Sequence, residues 1–186
     1  MMVLSSLWLV VSLALASVTA QVNKANDLYK QGKYDDSVDL YQQALSKDDR
    51  LPLVKYDLGT ALYKKGDYAK ALGYLEEAAH DKNLKLKPRA EYNIGNALYK
   101  TGIQKENKNV DEAIKSLQQA LAHYGQSLKF DPKDPDAAYN SNFVKKEIQR
   151  LKIINEQTVF IKLRVLNITQ RHAIDQKLDI QRHPFI

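Results

Sequence analysis

The side chains that most often carry out chemistry in proteins are few in this chain and far apart. Its 186 residues include no cysteine and four histidines. No two histidines, among His80, His123, His172 and His183, share the four-residue spacing that places two metal ligands on one helical face. The sequence also contains no G-x-G-x-x-G or G-K-[ST] phosphate loop and no G-x-S-x-G nucleophile elbow. We therefore predict no enzymatic activity, no metal, no cofactor and no small-molecule substrate.

Three acidic residues in the segment DPKDPD, Asp131, Asp134 and Asp136, come nearest to a cation site. This segment contains two prolines and lacks the glycine and the closing glutamate of an EF-hand loop. Asp134 followed by Pro135 is instead typical of a helix start, with a carboxylate at the N-cap and proline at the first helical position. We interpret the acidic cluster as helix capping.

A repeated frame of five residues, L-Y-K-x-G, is the strongest signal in the sequence. Its three glycines, Gly32, Gly66 and Gly102, are 34 and 36 residues apart. Around each glycine the apolar residues recur with the 3.6-residue period of an amphipathic helix. A glycine between two such patterns is typical of the left-handed residue that ends a helix. Each unit is therefore predicted to be a helix, a tight turn and a second helix.

The third unit departs from this pattern. A polar stretch, IQKENKN, follows Gly102, and apolar residues from Val110 to Leu128 then predict one amphipathic helix of roughly twenty residues. A further helix is predicted after Asp134. We expect it to cap the array, because a terminal repeat must present one face to water.

The last part of the chain shares nothing with the repeats. Ile161, Leu163 and Val165 alternate with Lys162 and Arg164, which predicts a short strand. The alternative is that the C-terminal tail, residues 152–186, is disordered.

The period and the pattern resemble the tetratricopeptide repeat (TPR). The small residues of the first helices are Ala25, Gly59 and Gly95, and the turn glycines are Gly32, Gly66 and Gly102. The tyrosines after the turn are Tyr34 and Tyr68, and the alanines of the second helices are Ala44, Ala71 and Ala78. Pro52 and Pro88 open the next units. The resemblance implies an all-α fold, a right-handed superhelix or α-solenoid. Its TPR domain would cover residues 21–151, with about three repeats at about 21–51, 52–87 and 88–131 and a capping helix at 134–151.

In TPR proteins the first helices line a concave groove that holds a peptide. Carried over by position, the resemblance implies peptide-binding residues Asn26, Tyr29, Lys30, Tyr56, Asp57, Thr60, Tyr63, Lys64, Arg89, Tyr92, Asn93, Asn96, Tyr99, Lys100, Tyr139, Asn140 and Phe143. Some TPRs grip a C-terminal carboxylate with Lys, Asn and Arg, but here Val22 and Asp57 stand where that clamp needs Lys and Asn. The alternative for the repeated tyrosines and lysines is packing between helices and capping of helix C-termini.

The first twenty residues carry no charged side chain. Residues 7–16 have the length of a signal-peptide h-region, and Val18 and Ala20 place small residues for a cleavage predicted between Ala20 and Gln21. No basic residue precedes the apolar run, so the alternative is an uncleaved N-terminal membrane anchor. We expect an exported protein that is periplasmic or anchored to the inner membrane facing the periplasm.

The export segment, the repeats and the segment DPKDPDAAYNSNFVKKEIQ together resemble the TPR proteins of Bat (aerotolerance) operons. Those proteins are found beside von Willebrand A-type proteins and a MoxR-type ATPase. The resemblance implies a non-catalytic scaffold of a bacterial envelope complex, whose partner is a protein or peptide such as a von Willebrand A-type membrane protein. The alternative function is a structural subunit that forms oligomers through its long third-repeat helix and its tail.

The charge distribution argues against a nucleic-acid partner. The formal net charge is +6, and residues 21–150 combine 22 basic with 19 acidic side chains. Such a diffuse charge lacks the basic stripe that nucleic-acid binding requires.

Overall fold

The computed structural model describes residues 17–81 and 85–182. These residues form helices connected by short turns, and no strand occurs among them. The helices are α1 (17–30), α2 (Tyr34–Lys47), α3 (Pro52–Lys65), α4 (Tyr68–Ala79), α5 (Leu86–Lys105), α6 (Val110–Phe130) and α7 (Pro135–Arg182). Each helix from α2 onward packs on the next one along the chain. The predicted all-α solenoid of helix pairs followed by a further helix is confirmed.

The first two turn glycines adopt the conformation that the sequence predicts. Gly32 and Gly66 have φ angles of 76° and 92°, in the left-handed region that favours glycine. Immediately after them, the amide of Lys33 donates to the carbonyl of Leu28 at 3.0 Å. The equivalent bond in the second unit also measures 3.0 Å. This pattern pairs the last free carbonyls of the first helix, so each helix ends sharply and the chain reverses.

Gly102 is not a turn glycine, contrary to the sequence prediction. It is buried inside α5, which continues to Lys105, and the turn comes later, before Asn109 caps α6. A Cβ atom added at Gly102 would lie 3.1 Å from the side chain of Leu117 on α6. The glycine therefore serves close contact between two helices. The same five-residue frame thus lies at the end of the first helix in the first two units but within the helix in the third.

Small residues also let the two helices of each unit approach closely. An added Cβ at Gly59 would lie 2.7 Å from Leu75 Cγ, and one at Gly95 would lie 2.7 Å from Tyr124 Cε1. Both glycines occupy the small-residue position of the repeat. The buried alanines and leucines around them form two hydrophobic clusters, one centred on α2 to α5 and the other on α6 and α7.

The start of α7 confirms the capping interpretation of the acidic cluster. Asp134 Oδ1 accepts hydrogen bonds from the backbone amides of Asp136 and Ala137 at 2.9 and 3.1 Å. Asp131 accepts from the amide of Lys133 in the preceding turn. Asp134 thus caps α7 by pairing amides that a helix N-terminus leaves free, and Asp131 stabilises the turn before it.

The strand predicted at residues 161–165 is wrong, because α7 continues as a helix to Arg182. Its packed part ends at Leu151, which is fully buried with Val144 and Ile148 against α6. From Lys152 to Lys177 the side chains are mostly exposed. A strand there would have no neighbouring strand to pair its backbone groups, whereas a helix pairs them internally. No proline or glycine interrupts the helix between Asp136 and Arg182.

The N-terminal export prediction falls largely outside the described residues. Residues 7–16 lie among the residues that are not described, while the predicted cleavage bond between Ala20 and Gln21 lies within α1. Lys47 Nζ on α2 donates to Ser17 Oγ at 3.1 Å and to Gln21 Oε1 at 2.7 Å, so contacts to α2 come from both sides of that bond. Between residues 17 and 182, excluding 82–84, no helix is both long and apolar enough to cross a membrane.

Candidate functional site

Two open cavities lie on the face to which α1, α3, α5 and α7 contribute side chains. The first cavity, of about 360 Å³, is lined by seven of the residues that the sequence predicts, Asn26, Tyr29, Lys30, Tyr56, Asp57, Thr60 and Arg89, together with Tyr41. The second cavity, of about 180 Å³, is lined by six more, Tyr63, Asn96, Tyr99, Lys100, Asn140 and Phe143, together with Tyr124 and Val144. Side chains of the first helices of the units and of the last helix therefore line both cavities, and we call this face the groove.

Asparagine side chains connect the helices below the surface of this groove. Asn93 on α5 donates from Nδ2 to the Tyr56 hydroxyl at 3.0 Å and to Thr60 Oγ1 at 3.2 Å, which joins α5 to α3. Asn140 on α7 donates to the Tyr92 hydroxyl at 3.0 Å, which joins α7 to α5. These side chains have a structural role, because they hold consecutive first helices in register.

Asn96 is the centre of the second cavity. Its Oδ1 accepts hydrogen bonds from the Tyr124 hydroxyl at 2.8 Å and from Asn140 Nδ2 at 3.1 Å. Its own amide nitrogen lies 3.4 Å from Asn93 Oδ1, to which it donates. The groove floor is therefore a connected set of polar side chains that are already hydrogen-bonded to one another. Such a network fixes its members for contact with a ligand at low entropic cost.

The tyrosines of the repeated frame pack against neighbouring rings. The Tyr29 and Tyr34 ring centroids are 5.4 Å apart, and those of Tyr63 and Tyr68 are 5.5 Å apart, so each pair spans the turn of its own unit. In the third unit no aromatic residue follows the frame directly, and Tyr99 packs on Phe143 of α7 at 5.9 Å. All three frame tyrosines are half-buried, and burial raises the pKa of each hydroxyl. They pack in this way while also lining the cavities.

The lysines of the frame occupy three different environments. Lys30 lies at the rim of the first cavity and pairs with Asp27 at 3.6 Å. Lys100 lies at the second cavity, with its ammonium 5.9 Å from the Tyr99 ring centroid. Lys64 lines neither cavity of the groove and instead borders a depression beside the first turn, with Tyr34 and Asp35. The lysines that face the groove are therefore those of the first and third units.

The first cavity contains an unusual carboxylate. Burial raises the pKa of Asp57 to about 6, and the nearby Arg89 guanidinium opposes part of this rise. Arg89 stacks over the Tyr56 ring with its Cζ 4.7 Å from the centroid. Asp57 and Arg89 therefore place one acceptor and one group of donors in the same cavity.

Three lining residues are not among those predicted from the sequence: Val144 on α7, and Tyr41 and Tyr124 on second helices. The Tyr41 hydroxyl donates to Asn26 Oδ1, as Tyr124 does to Asn96. Burial raises the pKa of Tyr41 to about 12 and that of Tyr124 still further. Asn26 and Asn96 both lie six residues before the glycine of their frame. A tyrosine on the buried face of a second helix was the available signal, because a buried hydroxyl usually needs a partner.

The described residues contain no cluster of metal-binding side chains. In residues 17–81 and 85–182, no group of three or more His, Asp or Glu side chains is placed to hold a metal ion. His123 Nδ1 instead lies 2.7 Å from Glu91 Oε2, in a contact that joins α6 to α5.

Comparisons with solved structures agree with the fold. The first TPR of Spaghetti (RPAP3), bound to the HSP90 peptide SRMEEVD, is 20% identical with a TM-score of 0.59, covering 71% of this chain and 93% of that one. The second TPR domain of human RPAP3, in complex with the HSP70 peptide SGPTIEEVD, is 17% identical with a TM-score of 0.60, covering 71% and 98%. The Yersinia enterocolitica type III secretion chaperone SycD, in complex with a peptide of the translocator YopD, is 18% identical with a TM-score of 0.54, covering 75% and 95%.

The sequence comparisons identify the repeat itself. A search of curated proteins gave no match. One tetratricopeptide repeat family model matches residues 22–85 and 56–107, and a second matches residues 90–127. Together these matches cover more than half of the chain, from the first helix pair into the long helix of the third. The chain therefore belongs to the tetratricopeptide repeat family.

Proposed function

We propose that this protein is an exported, non-catalytic scaffold that binds an extended segment of a partner protein in the groove between α1 and α7. The observation that carries the proposal is the grouping of the groove residues into two neighbouring cavities joined by one polar network. Tetratricopeptide repeats are generally interaction modules, and the structural neighbours named above were solved with peptides.

The hydrogen bonds within the groove favour a peptide as the ligand. The Tyr56 and Tyr92 hydroxyls each accept from an asparagine, so each keeps its own hydrogen for donation. An extended peptide offers one carbonyl acceptor per residue. Lys30, Arg89 and Lys100 add positive charge along the groove, which favours a partner segment with acidic side chains.

The cellular setting of this proposal rests on the sequence. The uncharged residues 1–20 support export, with the scaffold in the periplasm or anchored to the inner membrane facing it. The resemblance to the TPR proteins of Bat operons supports a place in an envelope complex with a von Willebrand A-type membrane protein. N-terminal sequencing of the protein recovered from the envelope fraction tests the export step, with Gln21 as the expected first residue after cleavage.

The groove proposal is tested by reversing charge at its edge without disturbing its floor. The variant Lys30→Glu/Lys100→Glu changes two exposed side chains at the two cavities. The matched control, Lys115→Glu/Lys129→Glu, makes the same charge change on exposed positions of α6. Partner capture from envelope extract, quantified by mass spectrometry, should fall several-fold for the groove variant only. Equal capture by both variants contradicts the proposal.

A second candidate function, self-assembly, is favoured by the outer part of α7. Large apolar side chains there are exposed, including Phe160 (64%), Ile161 (61%) and Leu163 (60%). Exposed apolar surface on this scale often marks an interaction site, and we propose a second copy of the chain as its occupant. Analytical ultracentrifugation at two protein concentrations tests this candidate. A monomer at both concentrations rules it out.

A further inference from the structure

The first cavity contains an acceptor that no side chain uses. Among residues 17–81 and 85–182, no hydrogen bond or ion pair reaches the Asp57 carboxylate, which is partly buried and lines the open cavity. An unused carboxylate on the wall of a binding groove is therefore available to a donor from a ligand.

The groups that face Asp57 define what such a ligand can be. Arg89 on α5 lies near enough to oppose the rise in its pKa but makes no ion-pair contact with it. Lys30 on α1 is drawn toward Asp27 at the rim. The remaining titratable groups that face the cavity are the hydroxyls of Tyr29 on α1, Tyr41 on α2 and Tyr56 on α3. The cavity thus combines a carboxylate without a hydrogen-bond partner, a guanidinium that makes no ion pair, and aromatic walls.

Charge separates three classes of ligand. A carboxylate, such as a free peptide C-terminus, suits Arg89 but is repelled by Asp57. A lysine or arginine side chain suits Asp57 but is repelled by Arg89, which already occupies the face of the Tyr56 ring. A neutral peptide group satisfies both, because its N–H donates to the carboxylate while its C=O accepts from the guanidinium.

We propose that the first cavity binds a main-chain peptide group from the interior of an extended partner segment, with Asp57 accepting from its N–H and Arg89 donating to its C=O. The inference rests on the groove function proposed above, and it specifies which part of the partner the groove recognises. It makes Asp57 a specificity-determining residue, since its negative charge selects against a chain end.

The test compares one random-sequence decapeptide pool in two forms. The free pool carries a C-terminal carboxylate, and the capped pool is N-acetylated and C-amidated. Retention of each pool on the immobilised full chain is measured at pH 7.5 and pH 5.0. We expect the capped pool to be retained at least as well as the free pool at pH 7.5, and to weaken about tenfold at pH 5.0 as Asp57 is protonated.

Variants at Asp57 separate this inference from a structural effect. Asp57→Ala should reduce retention of the capped pool about tenfold, whereas the exposed Asp39→Ala on α2 should not change it. Asp57→Asn keeps the volume and removes the charge, so it should shift preference toward the free pool. Circular dichroism verifies that each variant is folded.

The outcomes distinguish the two proposals. A wild-type preference for the free pool, unchanged in Asp57→Asn, overturns the inference while leaving the groove function intact. Retention of neither pool by the wild-type chain overturns the groove function, and the inference falls with it.

Discussion

The hydroxyl group of Tyr124 on α6 donates a hydrogen bond of 2.8 Å to Asn96 Oδ1 on α5, and the same oxygen accepts from Asn140 on α7. One amide oxygen thus joins three consecutive helices. Tyr124 is almost fully buried, with 1% of its surface exposed, so its hydroxyl has little access to water as a substitute partner. This contact is the place where the third unit and the last helix depend on each other.

Replacing Asn96 by alanine is therefore expected to lower the free energy of unfolding by about 2–3 kcal/mol, because a buried hydroxyl loses its partner. Asn26→Ala removes the single bond to Tyr41 in the first unit and should cost less, about 1–2 kcal/mol. Urea denaturation followed by circular dichroism measures both. The exposed Gln118→Ala serves as the control, and a cost for Asn96→Ala no larger than that of the control contradicts the network.

Replacing a helical glycine by alanine should change the stability of the protein in opposite directions at Gly95 and Gly73. Gly95→Ala places a Cβ 2.7 Å from the Tyr124 ring and should destabilise the protein by about 1–3 kcal/mol. Gly73→Ala meets no atom within 4 Å on an exposed part of α4 and should stabilise it by about 0.5–1 kcal/mol through helix propensity. Thermal and urea denaturation of the two variants check the signs. Destabilisation by both would mean that helix packing is not the reason for Gly95.

The sequence predicts the helix pairs well because two signals agree in the first two units. Apolar periodicity and a left-handed glycine both point to the turns at Gly32 and Gly66. At Gly102, only the five-residue frame itself predicts a turn. Whether the helix ends there depends on the packing of α6, where Leu117 needs the space that a glycine leaves. This tertiary contact cannot be read from the five-letter frame.

For the groove, the sequence predicts which positions face inward but not how their side chains interact. Repeat register identifies Asn93, Asn96 and Asn140 as inward-facing, but it does not show that they bond to one another. It also misses Tyr41 and Tyr124, because second helices are not expected to contribute to the concave face. The raised pKa of Asp57 depends on its burial and on the position of Arg89, and neither can be predicted from the spacing of residues in the sequence.

The stability of the protein should depend on pH through Asp57. Its pKa is raised from 3.8 to about 6 on folding, so the folded state favours the protonated form. This contribution is fully present below about pH 4 and is lost as the pH rises through about 6. Asp57→Asn should therefore stabilise the protein by about 1–2 kcal/mol at pH 8, and the difference from wild type should nearly vanish at pH 4.

Urea denaturation at pH 8, 6 and 4 checks this dependence. The control is Asp39→Asn, which makes the same change on an exposed part of α2. If the stability gained by Asp57→Asn over wild type increases toward acidic pH, folding stabilises the ionised carboxylate. The argument that burial raises the pKa of Asp57 is then wrong.

The outer part of α7 should contribute little to the stability of the monomer. Beyond Leu151, a hydrogen bond of 3.0 Å from Asn155 to Asp111 joins α7 to α6, and the side chains from Glu156 to Lys177 are all exposed. Deleting residues 152–186 should therefore change the free energy of unfolding by less than about 1 kcal/mol, since a helix without packing gains little stability in water. Ile148→Ala, in the packed part, should cost about 2–4 kcal/mol.

Hydrogen exchange of the full chain follows this boundary residue by residue. Amides in the packed part of α7, up to Leu151, should exchange far more slowly than those after Asn155, because only the packed part opens together with the core. The measurement also separates the two candidate functions. Protection after Asn155 that increases with protein concentration indicates that a second copy covers the exposed apolar side chains, whereas fast exchange at every concentration leaves the groove as the interaction surface of this scaffold.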